Sequence, residues 1–258
     1  MSSDQQVAIV TGGSRGIGRA IATELAGRGD AVCVNYNARP APAEALVEEL
    51  NAKGASAIAV RADVADPAEA ENLVAEAEAR LGPPTVLVNN AGVSVPATLE
   101  TYDEAALDLM RRVNVNGVIN MTRAVMDGMR ERGYGRIVNV ASNAAIGTAL
   151  PGTTFYAATK AEALILTKRF AMELGRAGVT VNAVCPGWIV TDMTRGTMTE
   201  AEFAERVSGM RDRTMVGRVG APADIAAAVA FLSSPAAGFT TAQVLTVDGG
   251  RLDYIGHA

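Results

Sequence analysis

VAIVTGGSRGIGR, residues 7–19, is the stretch of sequence that decides the fold class. A short apolar run, Val7–Val10, has the composition of a strand that is buried on both faces. Three glycines at positions 12, 16 and 18 then lead into a segment with helical periodicity. Glycine is needed where the chain turns sharply, where backbone approaches a pyrophosphate and where a helix lies close to a strand. The stretch therefore predicts a strand–turn–helix unit whose helix N-terminus can bind phosphate.

The rest of the chain repeats this alternation of strand and helix. Apolar, strand-like runs lie at residues 7–10, 31–34, 57–60, 86–88, 136–140, 179–184 and 243–247. Helical patterns lie between them, at residues 17–28, 41–53, 67–81, 102–132, 153–176 and 222–233. Strands that are apolar throughout are typical of parallel sheets covered by helices on both sides. We therefore predict an α/β fold, a Rossmann-type doubly wound seven-stranded parallel sheet with helices on both faces.

The sequence offers no obvious domain boundary. No linker, charge run or repeat divides the 258 residues, so we expect one dinucleotide-binding and catalytic domain over residues 1–258. Residues 191–218 are polar, rich in methionine and without a strand-like run. Insertions of this kind in compact domains are usually lids or disordered segments. We predict a substrate lid at about 191–218, with a helical piece near residues 199–210.

Composition excludes several classes of site. The two cysteines, Cys33 and Cys185, are too few for a disulfide framework or a four-ligand zinc site. The only histidine is His257, which disfavours a Ser-His-Asp triad and a multi-histidine metal site, so we expect no metal. A net charge of −5 argues against a nucleic-acid partner. Residues 1–6 do not resemble a signal peptide, and no apolar run approaches about 18 residues, so we expect a cytoplasmic protein with no membrane partner.

The glycine spacing, Gly12-x3-Gly16-x-Gly18, resembles that of the short-chain dehydrogenase/reductase family, closest in pattern to its 3-oxoacyl-acyl-carrier-protein reductase-like members. Further motifs of that family follow in order, each after its strand or in its helix: Asp63-Val64, Asn89-Asn90-Ala91-Gly92, Asn114, Ser142, Tyr156-x3-Lys160, Pro186-Gly187 and Asp248-Gly249-Gly250. The resemblance implies an NAD(P)-dependent oxidoreductase that transfers a hydride between nicotinamide C4 and a ketone or secondary alcohol, such as a carbonyl reductase.

Four residues form the predicted catalytic group. Tyr156 and Lys160 are four apart on a helix and share one face. An ammonium beside a phenol lowers the phenol's pKa, so we predict Tyr156 as the acid and base of the reaction. The resemblance implies that Lys160 also binds the cofactor ribose, that Ser142 holds the substrate oxygen, and that Asn114 holds a water linking Lys160 to solvent. Taken alone, Ser142 is also compatible with a turn serine, and Asn114 with a residue that satisfies buried backbone.

The end of the second strand bears on the choice of cofactor. An acid there binds the ribose 2′-hydroxyl of NAD in Rossmann-type sites, but residues 35–39 contain none. Arg15 matches a 2′-phosphate, so we predict NADP(H) in preference to NAD(H), with Arg39 either a second contact or a solvated charge. By resemblance, Asp63 contacts the adenine amine, Asn90 lies against the adenosine ribose and Asn89 braces the sheet. The predicted cofactor-binding set is Gly12, Ser14, Arg15, Gly16, Ile17, Gly18, Asn35, Tyr36, Asn37, Asp63, Val64, Asn90, Ala91, Gly92, Tyr156, Lys160, Pro186, Gly187, Ile189 and Thr191.

The substrate, a small carbonyl compound or alcohol, is less well defined. By resemblance the predicted pocket residues are Ser94, Ser142, Asn143, Leu150, Tyr156, Trp188 and Met193. None is charged, so an anionic substrate would need a residue such as Arg195. Alternatives are a 3-oxoacyl-thioester reductase proper, an NAD(P) sugar or polyol dehydrogenase working oxidatively, and a cofactor-binding regulator. The last is disfavoured because the four predicted catalytic residues are all present.

Two features bear on assembly. The helical segments 102–132 and 153–176 carry apolar residues on more than one face, and such helices must be buried against something. In the resembled family the partner is another subunit, so we predict a homotetramer. The tail after Gly250 contains Leu252, Tyr254 and Ile255. It is compatible with a cover over a neighbouring subunit's site, a packed end or a disordered segment.

Overall fold

A parallel sheet of seven strands forms the centre of the molecule, in a computed structural model that describes residues 5–256. Residues 1–4 and His257, on which the expectations about a signal peptide and a histidine site partly rest, lie outside the described residues. The spatial order is β3-β2-β1-β4-β5-β6-β7. The strands are β1 Val7–Val10, β2 Ala31–Tyr36, β3 Ala57–Arg61, β4 Val86–Asn89, β5 Gly135–Val140, β6 Val179–Pro186 and β7 Val244–Val247. The predicted doubly wound α/β fold is confirmed.

Nine α-helices are described in residues 5–256, and most begin and end within two residues of the predicted bounds. They are α1 Gly16–Gly27, α2 Pro40–Ala52, α3 Pro67–Leu81, α4 Glu104–Arg111, α5 Gly117–Arg132, α6 Thr154–Leu174, α7 Asp192–Arg195, α8 Glu200–Arg211 and α9 Pro222–Leu232. Among the residues that the structure describes, no helix has both the length and the apolarity needed to cross a membrane.

Both faces of the sheet are buried. Val7 and Ile9 of β1 pack in the core layer beneath α3 and α5, whereas Ala8 and Val10 pack in the layer beneath α1, α2 and α9. Successive side chains of a strand point to opposite faces, so a strand covered on both sides must be apolar throughout. The exception is the edge strand β7, where Leu245 is 38% exposed.

The helix predicted over residues 102–132 is not continuous. It begins at Glu104 and is interrupted by a π-helical turn, Arg112–Asn116, between α4 and α5. The side chain of Asn114 explains the position of the turn, because its amide bonds both the N–H and the C=O of Val93 in the loop after β4. A π-turn admits one extra residue and is frequently found at functional sites. Helical periodicity alone does not predict such an insertion.

The segment 191–218 is structured and contains the helix predicted near residues 199–210. Helix α8 begins after Thr199, whose hydroxyl accepts from the N–H of Glu202, while the Glu202 carboxylate accepts from the N–H of Thr199. This reciprocal capping satisfies two of the N–H groups at the start of the helix. The ring of Phe203 lies 5.9 Å from that of Trp188, which joins α8 to the loop after β6.

The C-terminal tail packs against its own chain. The N–H of Ala149 donates to the carbonyl of Asp253 at 2.8 Å, and the N–H of Ile255 donates to the carbonyl of Gly147 at 2.7 Å. On the other side, the N–H of Leu252 donates to the carbonyl of Arg213 at 3.0 Å. Of the three possibilities left open by the sequence, the structure therefore shows a packed end over residues 251–255.

Candidate active site

A cavity of about 490 Å³ opens at the carboxyl ends of the strands. It lies where β1 and β4 are neighbours and the chain continues outward in opposite directions, which is the usual ligand site of an open α/β sheet. Every residue of the predicted cofactor-binding set lines this cavity. Those residues lie at or after the carboxyl ends of β1, β2, β3, β4 and β6, or on α6, and they meet because the strands are parallel.

The glycine loop lies too close to its neighbours to accept side chains. A Cβ added to Gly18 would lie 2.3 Å from the carbonyl oxygen of Gly12 and 2.6 Å from the side-chain nitrogen of Asn90. Gly12 and Gly16 have φ angles of 59° and 53°, in the left-handed region that favours glycine. Each glycine therefore keeps the loop tight and keeps the backbone open to the cavity.

Two asparagines of the predicted cofactor set hold this loop in place. The amide oxygen of Asn35 accepts from the N–H of Gly12 at 3.2 Å. The side-chain nitrogen of Asn90 donates to the carbonyls of Thr11 and Gly12 at 2.9 and 3.1 Å. Asn89, predicted to brace the sheet, donates to Asn139 at 2.8 Å. The side chains of Asn35 and Asn90 thus shape the loop through hydrogen bonds to its backbone.

The start of α1 fits a phosphate group. In the described part of the chain, no side chain caps this helix and its first turn carries no acid. The first N–H groups of a helix have no intrahelical partner and carry a partial positive charge, so they attract anions. Together with the close-packed glycines, they form a cradle that fits the pyrophosphate of a dinucleotide.

The outer end of the cavity is lined by two arginines, Arg15 and Arg39, together with Tyr36 and Asn37. A guanidinium nitrogen of Arg15 lies 3.9 Å from a carboxylate oxygen of Asp192, and both side chains are more than half exposed. Solvent-exposed ion pairs of this kind contribute little. Arg15 is therefore held only weakly and can turn toward an anion in the cavity.

The inner end of the cavity brings Ser142, Tyr156 and Lys160 together. Ser142 comes directly after β5 and Ala141, and both Tyr156 and Lys160 are on α6. Burial raises the pKa of Tyr156 to about 12, although a hydrogen bond with Ser142 acts in the opposite direction. The net direction is opposite to the one expected from the sequence, because the loss of hydration outweighs the hydrogen bond with Ser142.

Lys160 is buried and lines the cavity. Its Nζ donates to the carbonyl of Val140 at 2.9 Å and lies 5.9 Å from the ring centre of Tyr156. Burial lowers the pKa of Lys160 to about 8. The amine is therefore near its titration point at neutral to mildly alkaline pH, which suits a group that exchanges protons.

Asn114 is fully buried, with both ends of its amide hydrogen-bonded. It accepts from the N–H of Val93 at 2.8 Å and donates to the carbonyl of Val93 at 2.9 Å and the hydroxyl of Thr159 at 3.0 Å. A Cβ on Gly92 would lie 3.3 Å from both Asn114 and Lys160. Asn114 thus fixes the loop that faces Lys160. Its predicted role in holding a relay water stays a prediction.

The predicted substrate residues divide into three groups. Ser142, Tyr156 and Met193 line the main cavity. Trp188 instead lines a second cavity of about 320 Å³ near Asp248, while Ser94, Asn143 and Leu150 line neither. Arg195, considered as an anion partner, forms an ion pair with Glu200 at 2.7 Å and lies 4.7 Å over the ring of Phe203.

Sequence reasoning missed several residues that line the cavity, namely Ala38, Ala62, Val93, Val113, Val140, Ala141, Asp192 and Thr194. Most are direct neighbours of predicted residues, so the ends of the predicted strands were a usable signal. Val113 is different, because it lies in the π-helical turn that the periodicity did not indicate.

Comparison with known proteins identifies the family. A family model described as enoyl-(acyl carrier protein) reductase matches residues 12–251. A 3-oxoacyl-[acyl-carrier-protein] reductase of Staphylococcus aureus is 42% identical over 244 residues, covering 94% of this chain and 96% of the relative. The chain belongs to the short-chain dehydrogenase/reductase family. It is therefore an NAD(P)-dependent oxidoreductase, as the motifs implied.

Solved structures of the short-chain dehydrogenase/reductase family agree with this assignment. An actinorhodin polyketide ketoreductase with NADPH superposes with a TM-score of 0.90 at 36% identity, covering 97% of this chain and 98% of that one. A gluconate 5-dehydrogenase from Burkholderia cenocepacia, in complex with NADP and tartrate, has a TM-score of 0.87 at 34% identity, with 95% and 94% coverage. Both therefore share the fold over nearly their whole length.

Proposed function

We propose that this reductase is an NADP(H)-preferring carbonyl reductase that acts on an uncharged ketone, with Tyr156 as its acid and base. The observation that carries the proposal is the position of Ser142, Tyr156 and Lys160 at the inner end of a cavity whose outer end is the glycine loop. A phosphate cradle and a proton donor in one cavity match the needs of carbonyl reduction.

Each side chain then has a defined task. When bound, a nicotinamide cofactor supplies the hydride that adds to the carbonyl carbon. The Tyr156 hydroxyl donates its proton to the carbonyl oxygen, and the Ser142 hydroxyl donates a hydrogen bond to the same atom. Protonated Lys160 favours the phenolate that Tyr156 becomes. In the reverse direction that phenolate accepts the proton of the alcohol.

The preference for NADP(H) is supported by charge. Arg15 and Arg39 line the outer end of the cavity, and no acid follows β2 over residues 35–39 to repel a 2′-phosphate. The solved relatives named above contain NADPH and NADP. A guanidinium binds phosphate through parallel charge-assisted hydrogen bonds. NADH has no 2′-phosphate to accept such bonds.

An uncharged substrate is supported by the residues that share the cavity with Ser142. Met193 lines the same cavity, and Arg195 is already paired with Glu200. These contacts favour an uncharged carbonyl compound. The Staphylococcus aureus relative favours a 3-oxoacyl thioester within that class. The gluconate dehydrogenase favours a second candidate, a sugar or polyol dehydrogenase working oxidatively.

We further propose that the chain works as one catalytic unit, with residues 191–218 as the lid, in a cytoplasmic homotetramer. The lid is supported by Thr191, Asp192, Met193 and Thr194, which line the cavity at the point where the segment begins. The homotetramer is supported by Ile165, an apolar side chain on α6 that is 60% exposed in the single chain.

The test is a fluorescence titration with NADPH and NADH beside an assay of reduced-nicotinamide absorbance. The assay panel contains simple ketones, 3-oxoacyl thioesters and sugars, and is run in both directions. We expect tighter binding of NADPH than NADH, and turnover of ketones or 3-oxoacyl thioesters in the reductive direction. Oxidation of sugars alone would select the second candidate, and binding of neither nucleotide would contradict the proposal.

A further inference from the structure

Residues 251–255 lie between two other segments of the chain and are hydrogen-bonded to both. We call this segment the C-terminal latch. One side is the segment 143–149, which directly follows Ser142 and includes a 3₁₀ turn, Asn143–Ile146. The other side is the stretch after α8, where Arg213 and Thr214 contact the latch through backbone bonds.

The latch is itself held firmly. The guanidinium of Arg251 is only 2% exposed and forms an ion pair with the carboxylate of Asp253. Arg213, from the stretch after α8, donates to the same carboxylate at 3.1 Å. A buried, doubly bonded charge pair fixes geometry more than it adds stability. Asp253 is therefore in a set position, and its carbonyl accepts from the N–H of Ala149 at 2.8 Å.

A side-chain relay runs from the latch to the residue after Ser142. The hydroxyl of Tyr254 donates to the carboxylate of Asp248, and the amide of Asn143 donates to the same oxygen at 3.4 Å. The other carboxylate oxygen of Asp248 accepts from the N–H of Gly250 at 3.0 Å. The Tyr254 hydroxyl and the Asn143 amide thus share one acceptor.

The segment 143–149 packs on α6, but it forms few hydrogen bonds with distant parts of the chain. In the described residues, each hydrogen bond that joins 143–149 to a distant part of the chain goes to residues 248–255. The bonds within the segment are local, such as the one from the N–H of Ala144 to the hydroxyl of Ser142 at 3.1 Å. The Ser142 hydroxyl is thus bonded to a turn whose long-range hydrogen bonds all go to residues 248–255, and it is also bonded to Tyr156.

We propose that Tyr254 is a positioning residue for the reaction: through Asp248 and Asn143 it fixes the turn that orients Ser142 toward the substrate oxygen. The proposal rests on the proposed role of Ser142 as a hydrogen-bond donor. Displacement of such a donor by a fraction of an ångström weakens stabilisation of the developing charge without removing any reacting group.

The test variant is Tyr254→Phe, which removes the hydroxyl and keeps the ring. The matched control is Tyr134→Phe, which removes a hydroxyl that accepts from Gln6 at 2.6 Å beside the opposite, amino end of β5. Asp248→Asn is the second variant, because it leaves one acceptor oxygen where Asp248 uses two, one for the Gly250 N–H and one for Asn143 and Tyr254. All three are made in the full chain, and thermal melting confirms that each is folded.

The first readout is hydrogen exchange of the backbone amides of residues 143–149. It needs no cofactor or substrate, so it tests the latch even if the parent reduces none of the carbonyl compounds in the panel. The second is kcat and KM for the best ketone of that panel, with the Kd for NADPH. We expect Tyr254→Phe to speed exchange in 143–149 and to lower kcat about tenfold at unchanged NADPH Kd.

Asp248→Asn is expected to reproduce both effects. A fourth variant that combines Tyr254→Phe with Asp248→Asn is expected to add little to either, because the two residues act in one relay. Tyr134→Phe is expected to leave both readouts at the parental level. Unchanged exchange in 143–149 overturns the proposal. Faster exchange at an unchanged kcat overturns it as well, since the latch is then only structural.

Discussion

At the scale of single residues, the site depends on how burial changes acid–base chemistry. Burial raises the pKa of Tyr156 to about 12 and lowers that of Lys160 to about 8. Both shifts favour the uncharged form, as expected when a group leaves water. A protonated Tyr156 is the form that a reductase needs, because the phenol donates the proton.

The hydroxyl of Tyr156 carries the proton transfer, so Tyr156→Phe is expected to lower kcat by about 10²–10⁴-fold. Binding of NADPH is expected to change little, because the ring remains. Tyr102→Phe is the control, since Tyr102 is half exposed and packs 5.0 Å from the ring of Phe155, the neighbour of Tyr156 on α6. Turnover within about threefold of the parent would contradict the mechanism.

Arg15 is expected to select the cofactor. Arg15→Ala removes charge-assisted hydrogen bonds to a 2′-phosphate, so the Kd for NADPH is expected to rise about 10–100-fold while that for NADH changes little. Arg19→Ala is the matched control, because Arg19 pairs with Glu49 and does not line the cavity. An equal rise in the Kd for NADPH and for NADH would show that Arg15 binds a part that both cofactors have, and would refute its role in selecting between them.

Lys160 makes stability depend on pH with a defined sign. The unfolded chain keeps this proton up to a pH of about 10.5, whereas the folded chain releases it near 8. Between those values the unfolded state binds more protons, so the free energy of unfolding rises with pH. The parent is therefore expected to gain on the order of 3 kcal/mol relative to Lys160→Met across this window. Denaturant unfolding of both proteins at the two ends of the window measures this gain. If the difference in free energy of unfolding between the two proteins did not change with pH, Lys160 would not be desolvated.

At the scale of elements, two of the three glycines in α1, Gly18 and Gly27, have different surroundings. A Cβ on Gly18 would meet the Gly12 carbonyl at 2.3 Å, whereas among the described residues nothing lies within 4 Å of a Cβ on Gly27. Gly18→Ala is therefore expected to displace the loop, weaken NADPH binding and lower the melting temperature. Gly27→Ala is expected to leave binding unchanged and to stabilise the helix by about 0.5–1 kcal/mol. Titration and melting of both variants check this, and parental NADPH binding by Gly18→Ala would refute the tight packing of the loop.

The π-helical turn shows what element prediction from sequence omits. Apolar spacing over 102–132 predicts one helix. The hydrogen bonds between Asn114 and Val93 instead stabilise a π-helical turn with one extra residue at Arg112–Asn116. Periodicity reports which residues face the core, and it carries no information on a contact with a distant loop. The position of Asn114 in the site was predictable only from its motif.

At the scale of the whole molecule, α6 leaves apolar surface uncovered. Ile165 and Met172 are both 60% exposed and are seven residues apart, so they lie on one face of the helix. We expect a homotetramer with a mass about four times 26.6 kDa by size-exclusion chromatography with light scattering. Ile165→Glu is expected to lower that mass, and Leu99→Glu, a change at a loop side chain that is 82% exposed, is not. A monomeric parent would contradict the prediction.

Local chemistry along the chain determined the fold class, the glycine loop and the Tyr156–Lys160 pair. Buried parallel strands must be apolar on both faces, close-packed turns must use glycine, and residues four apart on a helix share a face. Each of these constraints acts over a few neighbouring residues, so each is visible in the sequence.

Only the tertiary structure decided how distant segments act on one another. The pKa of Tyr156 is raised because burial removes water from its hydroxyl. The residues that bury it come from segments far apart in the chain. The same holds for Asn35 and Asn90 as braces of the glycine loop, and for the hydrogen bond from Asn143 to Asp248. Such contacts join residues whose separation in sequence carries no periodic signal, so they exist only once the sheet has brought them together.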